Sequence, residues 1–291
     1  NLFFFSLLLN SLLFAQTHKQ CGATIMRNKA IAENPDLVNN RIKYLQQLDS
    51  LQEFTSKMNN DIRTIPVVIH VMHTGGSSNI SEAQVLDAIE IINEDFSKNN
   101  SDTSSVVEAF QSIIADVGVE FKLAQLDPSG NCTKGITRTY TELTNNAGEN
   151  VKGLIKWDPS MYLNVWVVSN IEIGAGGYSY FPGEAPNNDA NAGVVVLASQ
   201  FGSIGQSNGS TSSNRTLTHE IGHYLSLNHT WGDSNNNDLQ QNCYDDDGIS
   251  DTPNTKGTNG TCNLSQNTCN SLDNVQNYMD YASCPIMYTE G

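Results

Sequence analysis

The chain has 291 residues, 38% of them hydrophobic and 16% charged, enough for one sizeable catalytic domain with a short appendage. Its formal net charge is −16, with 15 Lys and Arg against 31 Asp and Glu. That balance argues against nucleic acid or an anionic membrane surface as a partner.

The N-terminal stretch NLFFFSLLLNSLLFAQ is an apolar run of about 15 residues closing on the small Ala15, as in a secretory signal, and it is too short to span a bilayer. An initiator Met and a basic leader are missing, so residues 1–15 are expected to be a signal peptide truncated at its start. A buried N-terminal core helix would give the same run. No later stretch reaches the ~20 apolar residues of a membrane helix, and the expectation is a secreted, extracellular protein with no stable membrane insertion. Residues 16–60 are polar, with weak helical periodicity through Ile42, Leu45, Leu48 and Leu51, and could not bury a core alone.

The β-branched run TIPVVIHVMH reads as a buried strand and SEAQVLDAIEIINEDF as a helix. In that helix Val85, Ile89 and Ile92 share one face after a cap at Ser81. VEFKLAQL, YLNVWVVS and AGVVVLASQF read as further strands. Residues 61–229 are therefore α+β.

This segment ends in HEIGHYLSLNH, residues 219–229. On a helix, His219 and His223 lie on one face about 6 Å apart along the axis. Two imidazoles so placed suit one zinc ion, and a third histidine, His229, leaves the fourth position to water. Glu220 stands ready to take that water's proton. For His229 to come back to the ion the chain must turn, and Ser226 sits where a glycine with positive φ is expected. A non-glycine residue there costs roughly 1–2 kcal/mol, which metal binding can outweigh. The alternative is an exposed polar helix with incidental histidines.

Beyond His229 the chain is rich in Asn, Asp, Gly, Ser and Thr and lacks the apolar content for its own core. Cys243, Cys262, Cys269 and Cys284 crowd this region, and three pairings are open to them. Cys21 and Cys132 are isolated.

Taken together, HExxHxxxxxH followed by TWGD, DDDGISDTP, NYMDY and the closing MYTEG resembles the pappalysin-like family of metzincin zinc peptidases. IPVVIHV, INEDF, GITR, YLNVWVV and RTLTHEIGH fall in the same order and extend the likeness over roughly residues 60–291. The resemblance implies a twisted mixed sheet with a backing helix and an active-site helix, then an irregular disulfide-held C-terminal subdomain with a Met-turn. It implies zinc on His219, His223 and His229, Glu220 as general base, Met279 as the Met-turn floor and Tyr281 as a stabiliser of the oxyanion. Calcium is implied in the loop after the zinc helix, with Asp247, Ser250, Asp251 and Thr252 as hard oxygen ligands; otherwise that loop is merely a solvated acidic one. The implied disulfides are Cys243 to Cys269 and Cys262 to Cys284.

Cys21 resembles a pro-segment cysteine that occupies the open zinc position, unless it is bonded to Cys132. Residues 16–60 then form a pro-segment that inhibits its own enzyme, removed by cleavage between Lys57 and Arg63. Residues 61–229 form the N-terminal catalytic subdomain, and 230–291 a C-terminal subdomain that ends before the family's C-terminal helix. MDYASC is two residues shorter than in relatives that carry an acidic residue there for basic side chains, so that specificity is not carried over. The expected function is a secreted zinc endopeptidase acting on proteins or peptides and made as a latent proenzyme. Its alternatives are a secreted binding module with structural zinc and an inactive pseudo-peptidase damaged at Ser226.

Overall fold

The computed structural model describes residues 20–55, 62–234 and 236–291. The expected signal peptide lies outside these residues, as does most of the stretch expected to be cut on activation. Two helices come first, α1 (Ala23–Glu33) and α2 (Asp36–Thr55). Then follow β1 (Arg63–His73), α3 (Glu82–Phe96), β2 (Val119–Leu123), β3 (Ile136–Tyr140) and the single-turn α4 (Glu149–Lys152). β4 (Leu163–Val168), β5 (Gly177–Ser179), β6 (Val194–Leu197), the short α5 (Thr211–Asn214) and α6 (Thr216–Tyr224) complete the regular part.

The strands make one mixed sheet in the order β2-β1-β4-β6-β5, with β3 also paired to β1. β1 is long enough to hold two partners along one edge, β2 against Arg63–Val67 and β3 against Ile69–His73. β4 takes its other edge, and all these pairs are parallel. Only β5 runs antiparallel to its neighbour, β6.

The continuous apolar run in β1 follows from cover on both faces, which parallel strands require. On one face α3 buries Val85, Ile89, Ile92 and Phe96 against Val67, Ile69, Val71 and Val165, and Leu217 and Ile221 of α6 join the same cluster. Ser81 starts α3 by accepting the Gln84 N–H on its hydroxyl at 3.1 Å. The other face packs Met72, Trp166, Val168, Tyr178 and Val195 against Met26, Ala30 and Leu37 of α1 and α2. The N-terminal helices thus gain a core by docking. Neither α1, β3 nor β5 is among the elements the sequence pattern announces.

From Thr230 onward the chain is irregular apart from one short 3-10 turn at Gln240–Tyr244. Disulfides join Cys243 to Cys269 and Cys262 to Cys284, the pairing that the family resemblance implies. Cys21 is buried and Cys132 exposed, and both are unpaired, so the alternative bond between them is not formed.

Candidate metal centre

α6 carries TLTHEIGHY with every residue from Thr216 to His223 buried. Two carboxylates fix its surroundings. Asp95, in α3, accepts the Thr218 hydroxyl at 2.6 Å and the Tyr278 hydroxyl at 2.8 Å, and its Oδ1 is 2.8 Å from Nε of Arg215. Burial raises the Asp95 carboxyl to about 6 even so. Asp280 accepts the hydroxyls of Thr230 and Thr258 and the Ala282 N–H, which pins the segment carrying Met279 and Tyr281. Gly222 is a glycine because Met279 lies directly beneath it: a Cβ there would meet the Met279 Sδ at 2.4 Å.

α6 ends in a Schellman turn. Ser226 N–H donates to His223 O and Leu227 N–H to Gly222 O, both at 2.9 Å, and Ser226 adopts the left-handed φ of 89° that this motif needs. The chain reverses and returns His229 to the helix. His223 Nε2 and His229 Nε2 then stand 3.2 Å apart.

The donor chemistry fits a metal ion. His219 and His223 donate from Nδ1 to the carbonyls of Tyr278 at 2.7 Å and Leu227 at 2.8 Å, so each keeps a lone pair on Nε2. Burial lowers His223 to about 4. His229 lies well below the usual histidine range through burial and the two neighbouring rings. Neutral nitrogens aimed at one another repel unless a cation stands between them, and zinc bonds of ~2.0–2.1 Å in tetrahedral array separate two nitrogens by about 3.4 Å. Trp231 stacks flat on His229, with ring centroids 4.5 Å apart, and fixes its plane.

Glu220 is fully buried, and burial raises its carboxyl to about 8. Its Oε2 lies 3.4 Å from the Cys21 Sγ, and its Oε1 is buried with no hydrogen-bond partner. β5 passes α6 at Gly177, where a Cβ would sit 2.8 Å from Glu220 Cγ. Cys21, His219, His223 and His229 offer ligand atoms all within 4.8 Å of one another, the one such cluster among the described residues. Burial, then the neighbouring Glu220, pushes the Cys21 thiol well above its usual range. Tyr281 packs its ring beside His229 at 4.9 Å and donates its hydroxyl to Cys21 O at 3.4 Å.

Cys21 reaches this point because Gln20–Gly22 lies along the free edge of β5 in parallel register. Gly22 N–H donates to Gly177 O and Gly176 N–H to Gln20 O, both at 2.8 Å. Sequence reasoning missed the side chains that clamp this segment. Arg27 pairs with Glu184, and Arg41 with Ser226 and Phe181. Nothing local marks these pairs, whose members lie 157, 185 and 140 positions apart.

The acidic loop packs beside the turn that carries His229, where Asn228 Nδ2 donates to Asp247 O at 3.3 Å. Asp247 Oδ1 accepts the Ile249 N–H at 2.9 Å, Asp251 Oδ2 accepts the Gly291 N–H at 2.9 Å, and Thr252 pairs with Thr289 at 3.4 Å. Ser250 is exposed. Among the described residues, no three Asp, Glu, His or Cys side chains of this loop come together as those at the histidines do. Even so, burial and the charges of Asp246 and Asp251 raise the Asp247 carboxyl to about 7.

Residues 146–291 match the peptidase M43 family, described as Pregnancy-associated plasma protein-A. An extracellular metalloprotease of Arthroderma benhamiae is 27% identical over 237 residues, 78% of this chain and 74% of its own. Another, from Pyricularia oryzae, is 25% identical and covers 97% of this chain and 88% of its own. Mature mirolysin of Tannerella forsythia, solved with a cleaved peptide, is 36% identical with a TM-score of 0.71, covering 79% of this chain and 88% of that one. A promirolysin mutant from the same organism is 32% identical with a TM-score of 0.76, covering 94% and 91%.

Proposed function

This chain belongs to the peptidase M43 family, and from that premise we infer that it is an extracellular zinc endopeptidase made as a latent proenzyme. One observation carries the reading: three buried imidazoles and a buried carboxylate meet the thiol of an N-terminal segment at the open edge of a sheet. Its substrates are proteins or peptides. Among the described residues no helix is long and apolar enough to cross a membrane.

His219, His223 and His229 hold the zinc in this reading. The bound ion supplies Lewis acidity, lowering the pKa of water toward neutrality and polarising a peptide carbonyl. Glu220 takes the proton from the attacking water and passes it to the leaving nitrogen. Tyr281 donates its hydroxyl to the oxygen that gains charge in the tetrahedral transition state. Its bond to Cys21 O supports that role, since Cys21 O is a backbone carbonyl held beside the metal ligands. β5 pairs with the substrate backbone where Gln20–Gly22 now lies. Met279 forms the floor under α6.

In the same proposal residues 1–15 are a signal peptide, 16–60 the pro-segment, 61–229 the N-terminal catalytic subdomain and 230–291 the C-terminal one. Cys21 is the switch that closes the site. Four protein ligands would also describe a structural zinc, but such a site has no use for Glu220 and would not draw its fourth ligand from a segment clamped across a sheet edge. Calcium in the Asp247–Thr252 loop is the finest part of the proposal. Asp251 Oδ1 is buried without a partner and Asp247 is held high by burial and then by its acidic neighbours, and a cation would offset the charge.

The test is the Glu220→Ala variant of the activated protein. It should retain zinc by metal analysis and cleave an unfolded protein at least ~10²-fold more slowly than wild type, the scale of general-base catalysis. Cleavage at the wild-type rate would remove the peptidase assignment.

A further inference from the structure

Two arginines of the N-terminal segment dock on one patch of the catalytic unit. Arg27 of α1 brings its Nε to 2.6 Å from Oε2 of Glu184, whose side chain has no exposed surface, and also pairs with Asp233. Arg41 of α2 donates from Nη1 to Ser226 Oγ at 3.0 Å and Pro182 O at 3.5 Å, and from Nη2 to Ser226 O at 3.4 Å. Both guanidinium groups lie against the Phe181 ring, 5.6 and 4.7 Å from its centroid. An aromatic face bordered by carboxylate and carbonyl oxygens is the environment a planar guanidinium fills better than an ammonium does.

Arg41 also lies over the Tyr44 ring of its own helix at 5.8 Å, but Phe181, Pro182, Glu184, Ser226 and Asp233 belong to the catalytic unit, so that patch stays behind when the segment leaves. Phe181 lies two residues past the end of β5, and its ring packs edge-on against His223, with centroids 5.4 Å apart. The patch therefore continues the strand edge that runs past the metal ligands. Arg27 is six residues beyond Cys21, two of these steps extended and four in α1, a span of at most about 13 Å that an extended peptide covers in about three to four residues. A peptide lying on β5 with its reacting bond at Glu220 would carry a side chain past the patch two to four residues away. Loss of Arg27 also leaves the Glu184 carboxylate without the cation it pairs with in the precursor, free to take another positive group.

We propose that Phe181, Glu184, Ser226 and Asp233 form an arginine subsite of the mature enzyme, selecting substrates with an arginine two to four residues from the cleaved bond. In the precursor Arg27 and Arg41 occupy it. The proposal rests on the endopeptidase reading and adds a preference to it. It also puts recognition of a basic side chain elsewhere than the MDYASC segment, which has no acidic residue to spare for that purpose.

The experiment uses the mature, zinc-loaded Glu220→Ala protein, so that binding is read without turnover. Fluorescence anisotropy is measured for a labelled alanine-glycine scaffold peptide with arginine, lysine or the neutral isostere citrulline at each position in turn. Arginine should bind at least about tenfold tighter than citrulline at one or two adjacent positions, the scale of a charge-assisted pair, with lysine between them. The advantage should fall below about threefold when Glu184→Gln is added, and should be reduced by Asp233→Asn, a change at a side chain 51% exposed that the fold tolerates even if the buried change does not. No arginine advantage at any position, or one undiminished in Asp233→Asn and Phe181→Leu, overturns the subsite. Wild-type enzyme that cleaves proteins while showing no such preference would strike the subsite alone. Persistent arginine selectivity in a mature wild type that cleaves nothing would strike the peptidase reading and leave the subsite standing.

Discussion

Replacing Ser226 with glycine should move the two forms of the protein in different directions. At φ 89° the serine is in the left-handed region, which costs an L-residue ~1–2 kcal/mol. Glycine removes that strain but gives back ~0.5–1 kcal/mol through the freer unfolded chain. The mature enzyme should therefore be unchanged or gain up to ~1 kcal/mol. In the precursor the same change deletes the hydroxyl that accepts from Arg41 at 3.0 Å, a bond to a charged donor worth ~1.5 kcal/mol at the low end. Arg41 retains Ser226 O, Pro182 O and the Phe181 face, so the loss should not exceed that figure. A peptide spanning residues 20–55, added in trans to mature Ser226→Gly enzyme, should inhibit about tenfold less tightly than it inhibits wild type. Melting temperatures of both forms of both proteins supply the second readout. Equal shifts in precursor and mature enzyme, with unaltered inhibition, would refute the idea that this serine serves the pro-segment.

Cys21→Ala should give a precursor that is active, or activates itself, far sooner than wild type, and thiol mapping by mass spectrometry should find Cys21 unpaired in the wild-type precursor; unchanged latency would leave Cys21 no part in the block. Calcium should raise the melting temperature more at pH 8 than at pH 5. The Asp247 carboxyl stands at about 7 in the folded protein, above its ordinary value, so without the ion the folded state loses stability as pH rises through that range and the carboxylate forms. Equal calcium effects at the two pH values, zinc held constant, would count against the site. Gly222→Ala forces a methyl against the Met279 sulfur and should destabilise the zinc-bound protein by about 1–3 kcal/mol, measured by denaturant titration. No change would mean that the floor under α6 yields freely.

Much of the centre can be read in one stretch, because HEIGHYLSLNH compresses the metal chemistry into eleven residues whose spacing only a helix and a turn can satisfy. The strands β1, β4 and β6 are legible for a different reason: both their faces are buried, so their residues are almost uniformly β-branched or apolar. β5 escapes notice. It has three residues, Gly177, Tyr178 and Ser179, too few for any period to register, and its glycine is dictated by Glu220 on a helix forty residues later. α1 is hidden because only Ala23, Met26 and Ala30 of its eleven residues are buried, and its order comes from a surface assembled by other strands. The arginine contacts are invisible for the same reason. Charged residues in a polar segment look solvated until the fold brings a buried glutamate to meet them.

The outer edge of β5 has a further consequence for how this protein can be made and kept. A strand at the border of a sheet offers a row of unsatisfied backbone donors and acceptors that any extended chain can join, including another copy of itself. The backbone groups that hold Gln20–Gly22 are therefore an aggregation hazard whenever they stand bare. Synthesis runs from the N-terminus, so the covering segment already exists when β5 emerges, and the edge can be paired as the sheet forms. With the proposed pro-segment in place the border is paired, and its removal in the proposed maturation would bare that border only after the chain has folded.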